Sequence, residues 1–406
     1  MDCKKVLILG IDGYIGWSLA MHLAARGHKV AGFDNFSRRR NVDKIGSISA
    51  TPIRGMEDRI TVFDLVFRDA RGRITAKEGD LLDYSFTKDY IKWFKPDTIV
   101  HLGEQPSAPF SMVDRDHAIY TQHNNVIGNL NLLYAIKEVV PDCHLLKLGT
   151  MGEYGYETEL EIPEGFFEIE YKGKKATIPF PRIAGSWYHW SKVHDSNNIM
   201  FACKLWGLRS TDVMQGIVYG TRTKEMVTDE LLTRFDFDEC FGTAINRFCA
   251  QAVIGHKLTP YGKGGQTRGY LALTDSVQCL TIATENPPEK GEYRVFNQLD
   301  QLYKINDLAK TVQKVAQKNG LDVEIESVEN PRVEKEEHIY KVQAEKLRNL
   351  GFKQTRALED ELEIMLADLQ RFKKRILAKK EMIMPKPYWK PVRPVVKSGA
   401  RKKTYS

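Results

Sequence analysis

"KKVLILGIDGYIG", Lys4 to Gly16, is the stretch that decides the fold. "KKVLILG" is a short apolar run with β-branched residues, and it stops at a glycine. "YIGWSLAMHLAARGHKV" follows at once with apolar residues at helical spacing and closes at Gly27. The order predicted is strand, glycine turn, helix. Gly10, Gly13 and Gly16 permit a tight turn, close backbone approach to a pyrophosphate, and close packing of helix on strand. Tyr14 and Ile15 stand in the same first helical turn, whose backbone N–H groups and positive dipole end face the phosphates.

Working outward, "KVAGFDN" predicts a second strand ending at Asp34, about twenty residues on, where a carboxylate accepts both adenosine ribose hydroxyls. That carboxylate repels a 2′-phosphate and favours NAD over NADP. Asn35 is beside it. Arg38, Arg39 and Arg40 argue the other way, since an arginine can hold that phosphate. A third strand in "RITAKEGDLLD" brings Asp80 and Leu81 to the adenine. A fourth, "PDTIVHLGEQ", ends in a turn holding Leu102 and Gln105, which borders the cofactor because ligands collect at the carboxyl ends of parallel strands. A fifth, "CHLLKLGT", ends at Thr150. Helical stretches such as "SFTKDYIKWF" and "NVIGNLNLLYAIKEVV" lie between the strands. The expectation is an α/β fold, a doubly wound parallel sheet of the Rossmann type with a smaller mixed α/β lobe. Residues 1–210 are expected to form mainly the NAD-binding domain, and 211–370 mainly the substrate lobe with some returns to the first domain.

Composition bounds the rest. The 406 residues are 42% apolar and 28% charged, which allows a normal core. A net charge of +7 suits phosphate-bearing ligands without requiring nucleic acid. Much of the excess follows Arg371, in "RFKKRILAKK" and "SGARKKTYS", so 371–406 reads as a solvated helix end and a loose basic tail. The six cysteines form no Cys-x-x-Cys pair, which suggests buried free thiols and neither a zinc site nor a redox dithiol. No apolar run is long enough to span a bilayer and none at the N-terminus suits a signal peptide, so a cytoplasmic protein is expected.

The chemistry is carried by "RIAGSWYHWSKVHDS". Tyr188 and Lys192 are i and i+4 on a predicted helix and share a face. A tyrosine, with a pKa of about 10, is a poor base at neutral pH. A nearby ammonium and an oxidised nicotinamide favour the phenolate. Such a tyrosine can take a proton from a substrate hydroxyl while hydride leaves the same carbon. Thr150 then shares that hydroxyl, and Lys192 also reaches the nicotinamide ribose. Asn125 is expected to order the active-site helix and the nicotinamide region.

These features resemble the extended short-chain dehydrogenase/reductase superfamily. Within it, "SAPFSMVDR", "YTQHNNVIG", "KLGTMGEYG", "YHWSKVHDS", "YGKGGQTRGY", "RVFNQ" and "NPRVEKEEH" resemble the UDP-sulfoquinovose synthase family. The resemblance implies Thr150, Tyr188 and Lys192 as catalytic residues, tightly held NAD, and UDP-glucose plus sulfite as substrates. It implies Arg268 and Arg332 on the diphosphate, Tyr261 near the uracil within "HKLTPYG", and Gln215 and Gln266 near the sugar. It further implies a homodimer, paired through the helices around Asn124–Val139 and Tyr188–Trp206, and leaves room for a protein that delivers sulfite. The chain departs from the plant-type pattern at Glu104-Gln105-Pro106, where those members carry Glu-Gln-Arg, and at Met214-Gln215-Gly216, where they carry Asn-Gln-Gly. Related 4,6-dehydratases place an Asp-Glu pair after the threonine. Here Thr150 is followed by Met151-Gly152-Glu153, so removal of water falls to Tyr188, His189 or Glu153.

Overall fold

The computed structural model describes residues 3–155, 160–332 and 340–384. The strands are β1 (Lys5–Leu9), β2 (Lys29–Asp34), β3 (Ile74–Glu78), β4 (Thr98–His101), β5 (His144–Thr150), β6 (Phe166–Tyr171), β7 (Lys174–Pro179), β8 (Arg209–Gln215), β9 (Ile217–Tyr219), β10 (Thr267–Ala272), β11 (Tyr293–Gln298) and β12 (Gln301–Lys304). Seven of them form one sheet in the order β3-β2-β1-β4-β5-β8-β11. Every pairing in it is parallel. The expected doubly wound fold is what the chain adopts.

Alternation along β1 shows why the strand is apolar throughout. Val6 and Ile8 pack with Trp17, Leu23 and Phe63 on one face. Leu7 and Leu9 pack with Tyr90, Ile91 and Leu132 on the other. A parallel sheet covered by helices on both sides buries successive side chains in two different cores. Helices Tyr14–Ala25 and Leu273–Glu285 cover the first face, and Tyr84–Phe94, Gly128–Val139 and Trp187–Trp206 the second.

The smaller lobe is built on a three-stranded sheet, β12-β10-β9. Beneath it, helices Ala244–Ile254, Ile305–Lys318 and Leu358–Arg371 meet in a separate apolar core around Phe248, Leu308, Val312 and Leu366. β8 and β11, although late in the chain, belong to the large sheet. The basic segment after Arg371 does not begin as a loose tail, because Ile376 and Ile383 are fully buried in the second core. Residues 385–406, with "SGARKKTYS", lie outside the described residues, as does 333–338 of "NPRVEKEEH".

Candidate active site

The carboxyl ends of β1, β2, β4, β5 and β8 and the smaller lobe enclose a cavity of about 440 Å³. Its floor is the glycine turn. Gly10 has φ +82°, and a Cβ there would lie 2.7 Å from the Leu102 carbonyl oxygen. A Cβ on Gly16 would lie 2.2 Å from the Gly10 oxygen. Gly13 starts the helix Tyr14–Ala25 and no side chain caps it, so the first-turn N–H groups stay open. This cradle, closed to any Cβ and lined by backbone donors, fits a pyrophosphate. Tyr14 and Ile15 line it, and the Tyr14 hydroxyl donates to Gly220 O at 2.6 Å.

Asp34, Asn35, Arg38, Asp80, Leu81 and Leu102 line the same end of the cavity. Backbone donors fix Asp34: Asp12 N at 2.9 Å and Phe36 N at 2.7 Å. Burial, then the neighbouring Asp12, pushes its carboxyl up to about 6, so it is mainly ionised at neutral pH. Asp80 accepts from Asn35 Nδ2 at 2.9 Å. Two of the three arginines that could have held a 2′-phosphate are engaged elsewhere, and the third, Arg40, is exposed and does not line the cavity. Arg38 pairs with Asp236 at 2.8 Å and stacks on Phe241 at 3.9 Å. Arg39 makes a two-pronged contact with Asp12 at 2.6 and 2.7 Å. Among these groups Asp34 is left to meet the ribose, and the set fits NAD.

Helix Trp187–Trp206 opens on Ser186, whose Oγ accepts His189 N at 3.2 Å, and ends at Gly207 with φ +69°. It carries Tyr188, His189 and Lys192 to the cavity wall, opposite Thr150 at the end of β5. Thr150 stands beside the Tyr188 hydroxyl and favours its ionised form. Lys192 Nζ donates to Leu148 O at 2.6 Å and forms an ion pair with Glu104 at 2.6 Å. The expected depression of the tyrosine is reversed in the protein's own field. Burial first, then Glu104 and Glu153, hold the Tyr188 phenol well above its ordinary value, against Lys147 and Thr150. His189 lies over Gly152, where a Cβ would be 2.3 Å from its Nε2. Burial, then Arg332, Arg268 and Lys192, pushes His189 down to about 3, so the ring is neutral at physiological pH.

Gln215, Tyr261, Gln266, Arg268 and Arg332 line the cavity on the smaller-lobe side. Ser276 Oγ donates to Gln215 Oε1 at 3.2 Å, and Gln266 Nε2 to Tyr261 O at 3.3 Å. Of "HKLTPYG", Tyr261 reaches the cavity and His256 does not.

Three expected site residues stand behind the wall. Gln105 is buried and spends its amide on Ser107 O at 3.0 Å and Thr121 Oγ1 at 2.8 Å. Asn125 sits in a π-helical turn, accepts from Gln105 N at 2.8 Å and donates to Ser191 Oγ at 2.8 Å, tying the turn after β4 to the active-site helix. Glu153 is fully buried and does not reach the cavity. It accepts from Thr150 N at 3.3 Å and pairs with Arg182 at 2.8 Å and Lys147 at 3.3 Å. As a capping box with Thr150 it shapes the turn.

Sequence reading assigned no role to Glu104, Pro106 or Arg247, all of which line the cavity. Arg247 donates to Thr259 O at 2.9 Å and to the Tyr261 hydroxyl. A lone arginine in the apolar helix "AINRFCAQAVI" is the signal that could have found it.

The fold and the cavity define a class first. The NAD dependent epimerase/dehydratase family matches residues 6–297, and the chain belongs to it. Solved structures share the fold: UDP-glucose 4-epimerase of Thermotoga maritima with UDP-glucose (TM-score 0.66, 19% identity, 90% of this chain and 99% of that one), and UDP-glucuronic acid 4-epimerase of Bacillus cereus with UDP-glucuronic acid and NAD (TM-score 0.66, 19%, 90% and 99%). Within the class, UDP-sulfoquinovose synthase of Sulfolobus acidocaldarius is 48% identical over 387 residues, 95% of this chain and 98% of that protein. The chloroplastic UDP-sulfoquinovose synthase of Spinacia oleracea is 49% identical over 391 residues, 96% of this chain and 80% of that protein. The chain is a member of the UDP-sulfoquinovose synthases, an NAD-dependent enzyme.

Proposed function

We propose that this enzyme joins sulfite to UDP-glucose, giving UDP-6-sulfo-6-deoxyglucose and water. NAD, held by the glycine turn at 10–16, Asp34 and Lys192, would supply a hydride acceptor for C4 and, while oxidised, a positive ring. Tyr188 takes the O4 proton, and Thr150 donates a hydrogen bond to that oxygen. Lys192 holds the nicotinamide ribose. The 4-ketone makes the C5 proton acidic. His189, neutral and on the cavity wall, is the group that removes it and passes it to the departing C6 oxygen, so that water leaves and a 5,6-ene remains. Hydrogensulfite adds through sulfur to C6 and its proton goes to C5, and Tyr188 then returns its proton to O4 while C4 takes back its hydride.

Arg268 and Arg332 hold the diphosphate, a task suited to guanidinium forks. Gln215 and Gln266 meet the sugar, Tyr261 borders the uracil, and Asn125 and Glu153 support the machinery from behind. Domains 1–210 and 211–370, a homodimer, residence in the cytoplasm and a partner that hands over sulfite belong to the same reading. One observation carries it: Thr150, Tyr188, His189 and Lys192 converge on one cavity in a chain nearly half identical, almost end to end, to two UDP-sulfoquinovose synthases.

Mass spectrometry of the pure protein with UDP-glucose, with and without sulfite, tests the proposal. A UDP-sulfosugar that forms only with sulfite is expected. UDP-galactose or a 4-keto-6-deoxy sugar as the main product in the presence of sulfite would overturn it.

A further inference from the structure

Glu104 stands in the turn after β4, on the cavity wall, with its side chain only 2% exposed and with no role in the chemistry above. Its Oε2 is 2.6 Å from Lys192 Nζ and its Oε1 is 3.2 Å from His101 Nε2. Lys192 lies one helical turn from Tyr188 on the same face. A lone ammonium there would favour the phenolate whatever else occupied the cavity. An ion pair does not, because the carboxylate cancels the charge.

Resting on the reading of Tyr188 as the base, we propose that Glu104 is a positioning residue acting through Lys192. By neutralising the ammonium, it leaves Tyr188 a phenol unless a positively charged ring stands beside it. Tyr188 then ionises next to the oxidised cofactor, takes the O4 proton, and keeps that proton next to the reduced cofactor until hydride returns to C4. The ketone is thereby kept from early proton return while C5 and C6 react.

The surrounding groups agree. Tyr188 faces Glu104, Glu153 in the turn after β5, Lys147 on β5 and Thr150, and its phenol is held above the ordinary value by burial and then by Glu104. Glu104 faces Lys192, His101 and Lys147, which hold its carboxyl below the ordinary value despite burial. His101, pushed down to about 4 by burial, adds no charge at neutral pH. Asp195, on the active-site helix, is pushed well up by burial and by Glu104 itself.

The test is a pH titration of phenolate absorbance, taken as the difference between each protein and its Tyr188→Phe version, loaded with oxidised or with reduced cofactor. In wild type the midpoint should be lower with the oxidised form. Glu104→Gln should lower it in both forms by about one pH unit or more, and the acid limb of kcat/KM should move the same way. Glu104→Asp, which keeps the charge, should stay near wild type. Lys192→Gln, which leaves the carboxylate unpaired, should raise the midpoint and covers the case in which Glu104→Gln does not fold. The inference is overturned by an unmoved midpoint in Glu104→Gln or Lys192→Gln, or by equal shifts in Glu104→Gln and Glu104→Asp. Near wild-type turnover by Tyr188→Phe would instead remove the base assignment beneath it.

Discussion

Replacing Tyr188 by phenylalanine removes one oxygen from a buried side chain and keeps its ring in place. If that oxygen is the proton acceptor, steady-state assays should show activity lower by roughly 10²–10⁴-fold while calorimetry still detects UDP-glucose binding. Lys192→Ala should be as damaging and should also weaken NAD, because it leaves Glu104 buried without its 2.6 Å partner and removes a ribose contact. Thr150→Ala should cost less, about 0.5–1.5 kcal/mol for one neutral hydrogen bond. Equal losses in all three variants would speak for collapse of the site and against separate roles. The residues that meet at the cavity were legible because their spacing is a geometric statement: glycines around a turn, an acid at a strand end, a tyrosine and a lysine on one helix face. Gln105 was misjudged because its partner is distant in sequence: it meets Thr121. Asn125, expected to order the active-site helix, ties to it through Ser191. Glu153 is different, since Thr150-x-x-Glu153 is itself the pattern of a capping box and could have been read as structural.

Elements were legible where one period dominates. β1 to β5 and the helices Tyr14–Ala25, Tyr84–Phe94 and Gly128–Val139 stand where apolar runs and helical spacing put them, while Ser37–Lys44 and Met56–Val66 between β2 and β3 were not read. The β6–β7 hairpin was not read: its two-residue turn, Lys172-Gly173, has positive φ at both positions but lacks the Asn-Gly or Asp-Gly pair that announces such a turn. Its strands are largely exposed, so no apolar alternation announced them. The segment after Arg371 was misjudged for the opposite reason: its many charges masked Ile376 and Ile383, which anchor it in the second core. The first helix gives the sharpest test at this scale. Gly16 lets the helix Tyr14–Ala25 approach the turn so closely that a Cβ would be 2.2 Å from a backbone oxygen of Gly10. Backbone on backbone has no rotamer to relieve it. Gly16→Ala should therefore lower stability by about 1–3 kcal/mol in denaturant titration and displace the phosphate-binding turn, weakening NAD in fluorescence titration. A variant with wild-type stability and affinity would show that the helix can shift without cost.

Across the whole molecule, two surfaces remain to be accounted for: an apolar face outside and a pair of acids inside. Helices Gly128–Val139 and Trp187–Trp206 expose Tyr134 (46%), Phe201 (61%) and Leu205 (55%). Such a patch suits a two-fold partner face. Light scattering should give about twice the chain mass of 46.5 kDa, and Phe201→Glu with Leu205→Glu should halve it; a single-chain mass for wild type would refute the dimer. The acids join the lobes. Asp275 begins the helix Leu273–Glu285 and accepts from Thr355 N at 3.1 Å, while Asp300 follows β11 and lies beside Asp275. Burial, then repulsion by Asp275, pushes Asp300 up to about 7 from an ordinary 3.8. The folded chain thus keeps a proton that the unfolded chain releases. The stabilisation is full below about pH 4, is lost as pH rises through about 7, and is flat beyond. Buried histidines add the opposite slope, since His144 and His189 are both pushed down to about 3, first by burial. Comparison with Asp300→Asn cancels them. The variant is neutral at every pH and can still donate to Asp275. Its melting temperature should pull progressively above wild type from about pH 4 to 7 and then stay a constant distance above. A gap that does not change with pH would mean that Asp300 titrates alike in the folded and unfolded chain, and that the two acids share no proton.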